Sequence, residues 1–119
     1  MSKLEVHLRK AREFRDSAQQ LKEPGPQVES WFLSAYHFIE ACAAKRRLHV
    51  QKHQRVPEEL ERNPTIFGDD TLQIAEAFRY LDGKARARFV YGDSGTDADF
   101  KRARECFETI KSRCEAKLR

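Results

Sequence analysis

Apolar residues recur three and four apart along four stretches of this chain, and nowhere do they alternate with polar ones over a run long enough for a strand. That pattern restricts the chain to helices packed on helices, because each stretch has a face to bury and no sheet to bury it against. In the first stretch, residues 3–22, the face is Leu4, Leu8, Ala11, Phe14, Ala18 and Leu21, with Glu5, Arg9, Lys10, Arg12, Glu13 and Arg15 between. Pro24-Gly25-Pro26 is expected to end this helix, since proline supplies no amide donor and glycine accepts positive φ. A second helix, from near Gln27, carries Val28, Trp31, Phe32, Ala35, Tyr36, Phe38, Ile39, Cys42 and Ala43, a surface wider than one stripe. It is predicted to be the central and most buried one.

Beyond Lys45 the chain turns basic and runs into Val56-Pro57. Pro57 suits a first helical position, and Glu58, Glu59 and Glu61 complement a helix N-terminus, so a short helix to about Asn63 follows. After Gly68-Asp69-Asp70 the period returns with Leu72, Ala75, Phe78, Leu81 and Ala85, capped by Asp70 or Thr71. Gly83 weakens this third long helix by about 1 kcal/mol relative to alanine, and its turns through Arg88 are expected to loosen. The loop Tyr91-Gly92-Asp93-Ser94-Gly95 precedes a final helix, capped by Thr96 or Asp97, that buries Phe100, Ala103, Phe107, Ile110 and Cys114 with Cys106 beside them. The prediction is an all-α, up-and-down four-helix bundle with a short additional helix, one domain over residues 1–119.

Composition narrows the function. With 39% hydrophobic and 35% charged residues the chain reads as soluble and globular, and no apolar run approaches a membrane span. The start, Met1-Ser2-Lys3-Leu4-Glu5, lacks the layout of a secretory signal, so a cytoplasmic location is expected, with no membrane partner. A chain of 119 residues builds one modest core and not a deep private cavity as well, which favours a function shared across a subunit interface. Cys42, Cys106 and Cys114 form no CxxC pair and read as small buried apolar residues. The net charge of +4 permits an anionic partner without demanding one.

Residues 45–55 hold five Lys or Arg and two His, among them Arg47 and His53. Cations gathered at a helix end neutralise phosphates, although they also complement the helix dipole. His49 and His53 lie four apart, a metal-ligand spacing, but Val50 stands where HExxH has glutamate, and no metal and no cofactor are expected. The segment Arg86-Ala87-Arg88-Phe89-Val90-Tyr91-Gly92-Asp93, after Lys84, fans cations beside a glycine loop and is the second anion-binding candidate. No phosphate-cradling glycine motif, serine elbow or dinucleotide fingerprint is present.

Three anchors resemble the HEPN superfamily of small helical domains: Ser34-Ala35-Tyr36-His37-Phe38-Ile39-Glu40-Ala41, then Lys52-His53, then the Arg86 to Asp93 segment followed by Ala103, Phe107 and Ile110. The resemblance implies a helical bundle that pairs as a homodimer around a groove. Its catalytic members use an Arg followed four to six residues later by a His as a metal-independent ribonuclease. Others are toxin-antitoxin components beside a minimal nucleotidyltransferase, or bind nucleotides without chemistry. Here Tyr91 occupies the histidine position, and a phenol holds its proton to about pH 10. The resulting expectation is binding of nucleotide or RNA phosphate through Arg86, Arg88 and Tyr91, with Arg47 and His53 as a secondary patch. The alternatives are a ribonuclease using Arg47 with His53 or Arg86 with Tyr91, and a protein partner of a nucleotidyltransferase. Trp31, Tyr36 and Phe89 are the expected dimer surface, as apolar residues in excess of one core.

Overall fold

Ser2 and Thr96 start the first and last helices in the same way. Each side-chain oxygen accepts from the backbone N–H three residues on, Glu5 and Asp99, whose carboxylates in turn accept from the cap's own N–H. These reciprocal bonds satisfy amides that a helix start leaves without partners. The computed structural model describes residues 2–119; all of its regular elements are helical, with no strand among the described residues. Its helices are α1 (Lys3–Gln20), α2 (Pro24–Lys45), α3 (Val56–Arg62), α4 (Thr71–Arg79) and α5 (Asp97–Leu118), with single 3₁₀ turns at His53–Arg55 and Gly68–Asp70. None is long and apolar enough to cross a membrane.

Pro24-Gly25-Pro26 does not lie between the first two helices as expected; it is the first turn of α2, and α1 already ends at Gln20. Proline is pre-set for a first turn, where its missing N–H has no intrahelical partner to lose. Gly25 has a packing reason as well, since a Cβ there would stand 2.7 Å from the Phe89 carbonyl oxygen. Neither Asp70 nor Thr71 caps α4 through its side chain; the Thr71 hydroxyl donates back to the Gly68 carbonyl at 2.7 Å.

α2 is the axis of the structure, packed by α1, α5 and the segment following α4. Val28, Phe32, Phe38 and Ile39 on it are all but inaccessible. α1 contributes little beyond Ala11 and Ala18, whose small side chains let it approach closely enough for Ser34 Oγ to donate to the Ala11 carbonyl at 2.7 Å. From α5, Ala103, Phe107, Ile110 and Cys114 enter the core as expected, whereas Phe100 and Cys106 are half-buried. Trp31 is no dimer surface: it is only 6% exposed, stacked on Phe107 and tilted against Phe100 of its own chain. Tyr36 and Phe89 are likewise half-buried against the core, and the exposed large apolar residues are Leu72 and Tyr91.

The loosening expected after Gly83 begins earlier and takes a definite form. α4 runs without a break into a π-helical segment, Tyr80–Val90, closed by a five-residue bond from the Tyr91 N–H to the Arg86 carbonyl. An 11-residue stretch of this kind is far longer than the single-turn bulges in which π geometry is mostly seen, often at functional sites. Its wider winding stacks residues five apart, which in an α-helix would diverge.

α2 ends in a Schellman arrangement. The Leu48 N–H reaches the Ala43 carbonyl, the Arg47 N–H reaches Ala44, both at 2.9 Å, and Arg47 takes a left-handed φ of 59°. Glycine ordinarily fills that position. Arg47→Gly is therefore expected to stabilise the chain by about 1 kcal/mol, the cost of a side chain in left-handed geometry, read as a rise in thermal unfolding temperature.

Candidate functional site

The π winding sets Arg86 between Asp82, one turn before it, and Tyr91, one turn after. The guanidinium forks onto Glu29 of α2, Nε to Oε2 at 3.1 Å and Nη2 to Oε1 at 3.2 Å. Nη1 donates to Asp82 Oδ1 at 3.0 Å, and Nη2 also donates to Tyr91 Oη at 3.0 Å. Four of the five guanidinium N–H groups are thus engaged. Beneath it the Phe32 ring lies 4.1 Å away, a cation–π contact. Burial opposes the charge of Arg86, but the Glu29 carboxylate outweighs it and raises the pKa.

Asp82 Oδ1 is shared. His53, carried by the 3₁₀ turn before α3, places Nδ1 3.4 Å from the same oxygen. That nitrogen is buried and has no aligned hydrogen bond, while the ring meets Phe32 edge-on at 5.1 Å and Tyr36 at 6.5 Å. Tyr91 stands at the mouth of the cluster, 74% exposed, with its oxygen held by Arg86.

Of the five residues singled out from sequence, Arg86 and His53 therefore meet at the Asp82 carboxylate, and Tyr91 joins them through its bond to Arg86. Arg88 does not join them. It pairs with Asp99 of α5 at 2.8 Å and lines a separate cavity of about 350 Å³ between the start of α2 and the glycine loop. Arg47 also lies apart, lining a cavity of about 350 Å³ with Ser2, Lys3, Leu4 and His49. No hydrogen bond or ion pair joins Arg47 to His53 among the described residues.

A second polar cluster escaped the sequence reading. Glu40, in the last turns of α2, is 1% exposed, and around its carboxylate stand His49 and His7, with His37 hydrogen-bonded to His7. His7 lies on a helix whose other residues explain its amphipathic pattern, and Glu40 occupies a predicted apolar face. The available signal was a carboxylate embedded in the most buried stretch of the chain, where it requires partners.

Compared with protein-family models, curated proteins and solved structures, the chain matches none.

Proposed function

We propose that the chain is a HEPN-like domain, an up-and-down four-helix bundle with α3 as its short additional helix, that binds the phosphates of nucleotide or RNA and works as a homodimer. The observation that carries the reading is a cluster drawn from two separate stretches of the chain, in which Arg86 and His53 flank Asp82 and Tyr91 is held by Arg86. Because Tyr91 Oη accepts from Arg86, its own proton is free to point outward toward a phosphate oxygen. Arg86 then acts mainly by holding the phenol, with one N–H of Nη1 left for direct contact. Lys52, next to His53 and without a carboxylate within 4.0 Å among the described residues, supplies unneutralised positive charge. Arg88 and Arg47 are peripheral in this reading.

The test is anisotropy titration of a fluorescein-labelled single-stranded RNA across salt concentrations. Tyr91→Ala and Lys52→Ala are each expected to weaken binding roughly five- to tenfold, and Lys52→Ala to reduce the magnitude of the salt slope by about one. Both positions are exposed, so circular dichroism should be unchanged. A wild-type chain showing no salt-sensitive binding to RNA or ATP would remove the proposal.

One observation favours a catalytic second reading. Asp82 Oδ1 lies 3.4 Å from His53 Nδ1, close enough to orient the ring if that contact tightens on binding, and a ribonuclease would use the other ring nitrogen to move the proton of a ribose 2′-hydroxyl. It predicts cyclic-phosphate ends in the presence of a chelator, lost in His53→Ala. Intact RNA under those conditions leaves binding alone.

A further inference from the structure

Glu40 is a carboxylate buried in the helical core, and its two oxygens face different partners. Oε1 accepts from the Val50 N–H at 2.8 Å, which ties the basic loop to α2. Oε2 is buried and has no aligned hydrogen bond. Yet two imidazole nitrogens face it, His49 Nδ1 at 2.9 Å and His7 Nε2 at 3.8 Å, and the three donor atoms lie within 4.8 Å of one another. Donor atoms bound to one tetrahedral zinc at ordinary bond lengths stand about 3.3 Å apart. The two distances to Glu40 straddle that value.

The surroundings match a metal site's outer shell. His7 Nδ1 and His37 Nδ1 are 3.0 Å apart, so one donates and the other accepts. With His7 donating from Nδ1, its Nε2 presents a lone pair toward Glu40, the arrangement by which outer-shell groups fix a ligating histidine. Phe14 stacks on His37 nearly parallel, at 6° and 5.8 Å, and holds its ring plane. Lys3 and Lys10, whose charges reach His7, work against a cation here. His49 borders two surface cavities of about 350 and 430 Å³, so an ion has an approach from solvent.

We infer that His7 Nε2, Glu40 Oε2 and His49 Nδ1 form a binding site for one divalent transition-metal ion of the zinc class, with His37 as the outer-shell partner of His7. Two imidazoles and one carboxylate suit Zn²⁺, Co²⁺ or Fe²⁺ better than the oxygen-seeking Mg²⁺ or Ca²⁺. Three protein donors leave a fourth position for water. The site is independent of the phosphate-binding reading, and each stands without the other.

The experiment uses the full chain after chelator treatment, titrated with Zn²⁺ by calorimetry and with Co²⁺ by visible absorption. The expected result is one ion per chain with a dissociation constant in the micromolar range or below, and Co²⁺ bands of tetrahedral intensity without a thiolate charge-transfer band. His49 is 46% exposed, so His49→Ala should stay folded while weakening Co²⁺ binding at least 100-fold. His37→Phe, which removes no ligand, should weaken it roughly ten- to 100-fold. Absence of stoichiometric binding by the wild-type chain, a thiolate band, or unchanged affinity in His49→Ala would each overturn the assignment.

Discussion

Phe32→Ala should cost about 3–5 kcal/mol of stability, the usual range for emptying a buried aromatic site, and lower the unfolding temperature by roughly 10–20 °C. The ring is 1% exposed and packs on Phe78 at a centroid distance of 5.4 Å. It is also the floor of the polar cluster, under the Arg86 guanidinium and against the edge of His53. Its removal takes the apolar support from two groups that α2 and the π segment otherwise hold in place. The histidine and tyrosine resonances of His53 and Tyr91 should therefore broaden or shift even in the fraction that remains folded. Phe32→Leu keeps much of the volume and should cost less than about 1.5 kcal/mol. Leu72→Ala, at 61% exposure, should change stability by no more than about 0.5 kcal/mol. If Phe32→Ala were as mild as Leu72→Ala, the ring would not be the support of the site.

The helices were legible because burial follows period. α2 has too many apolar positions for one stripe, and its place at the centre of the fold follows. Caps were legible in part: Thr96, one of two residues expected to start the last helix, caps it, whereas Ser2 was not singled out and neither Asp70 nor Thr71 caps α4 through its side chain. Proline was ambiguous, because the same residue ends one helix or begins the next, and Pro24 begins α2. The π segment could not be read from its composition. Gly83 signals weakness, but five-residue bonding is settled by what the wider turn packs against: Tyr80 and Leu81 inward, and Asp82, Arg86 and Tyr91 in contact along one side. That winding also explains why Arg86 and Arg88, two residues apart in one motif, have separate surroundings. The Glu40 carboxylate in an apolar stretch was a signal that partners were needed, but which partners could not be read, because the cluster joins the first half of α1, the last turns of α2 and the loop beyond it, and no local spacing records such a meeting.

Arg86→Ala is the second large effect, and it separates a positioning cation from a solvated one. The side chain is 13% exposed and clamps α2 to the π segment through Glu29. Truncation leaves Glu29 and Asp82 without their countercharge and opens space above Phe32, which together should cost about 2–3 kcal/mol, less than a fully buried pair because one edge meets water. In a double-mutant cycle, Arg86→Ala with Glu29→Ala should show a coupling of about 1–2 kcal/mol, since the second change removes a carboxylate the first had stranded. Arg86→Lys should rescue only part of the loss, because an ammonium cannot reproduce the fork onto Glu29 or the planar contact with Phe32. Arg88→Ala should cost less by the same chemical denaturation, within about 1 kcal/mol, as it makes a single part-buried bond to Asp99 and its side chain is 40% exposed. Equal losses for Arg86→Ala and Arg88→Ala would contradict the clamp. RNA binding discriminates further: Arg86→Lys, assayed where it is folded, should bind as weakly as Tyr91→Ala if holding the phenol is what Arg86 contributes, and as tightly as wild type if positive charge alone suffices.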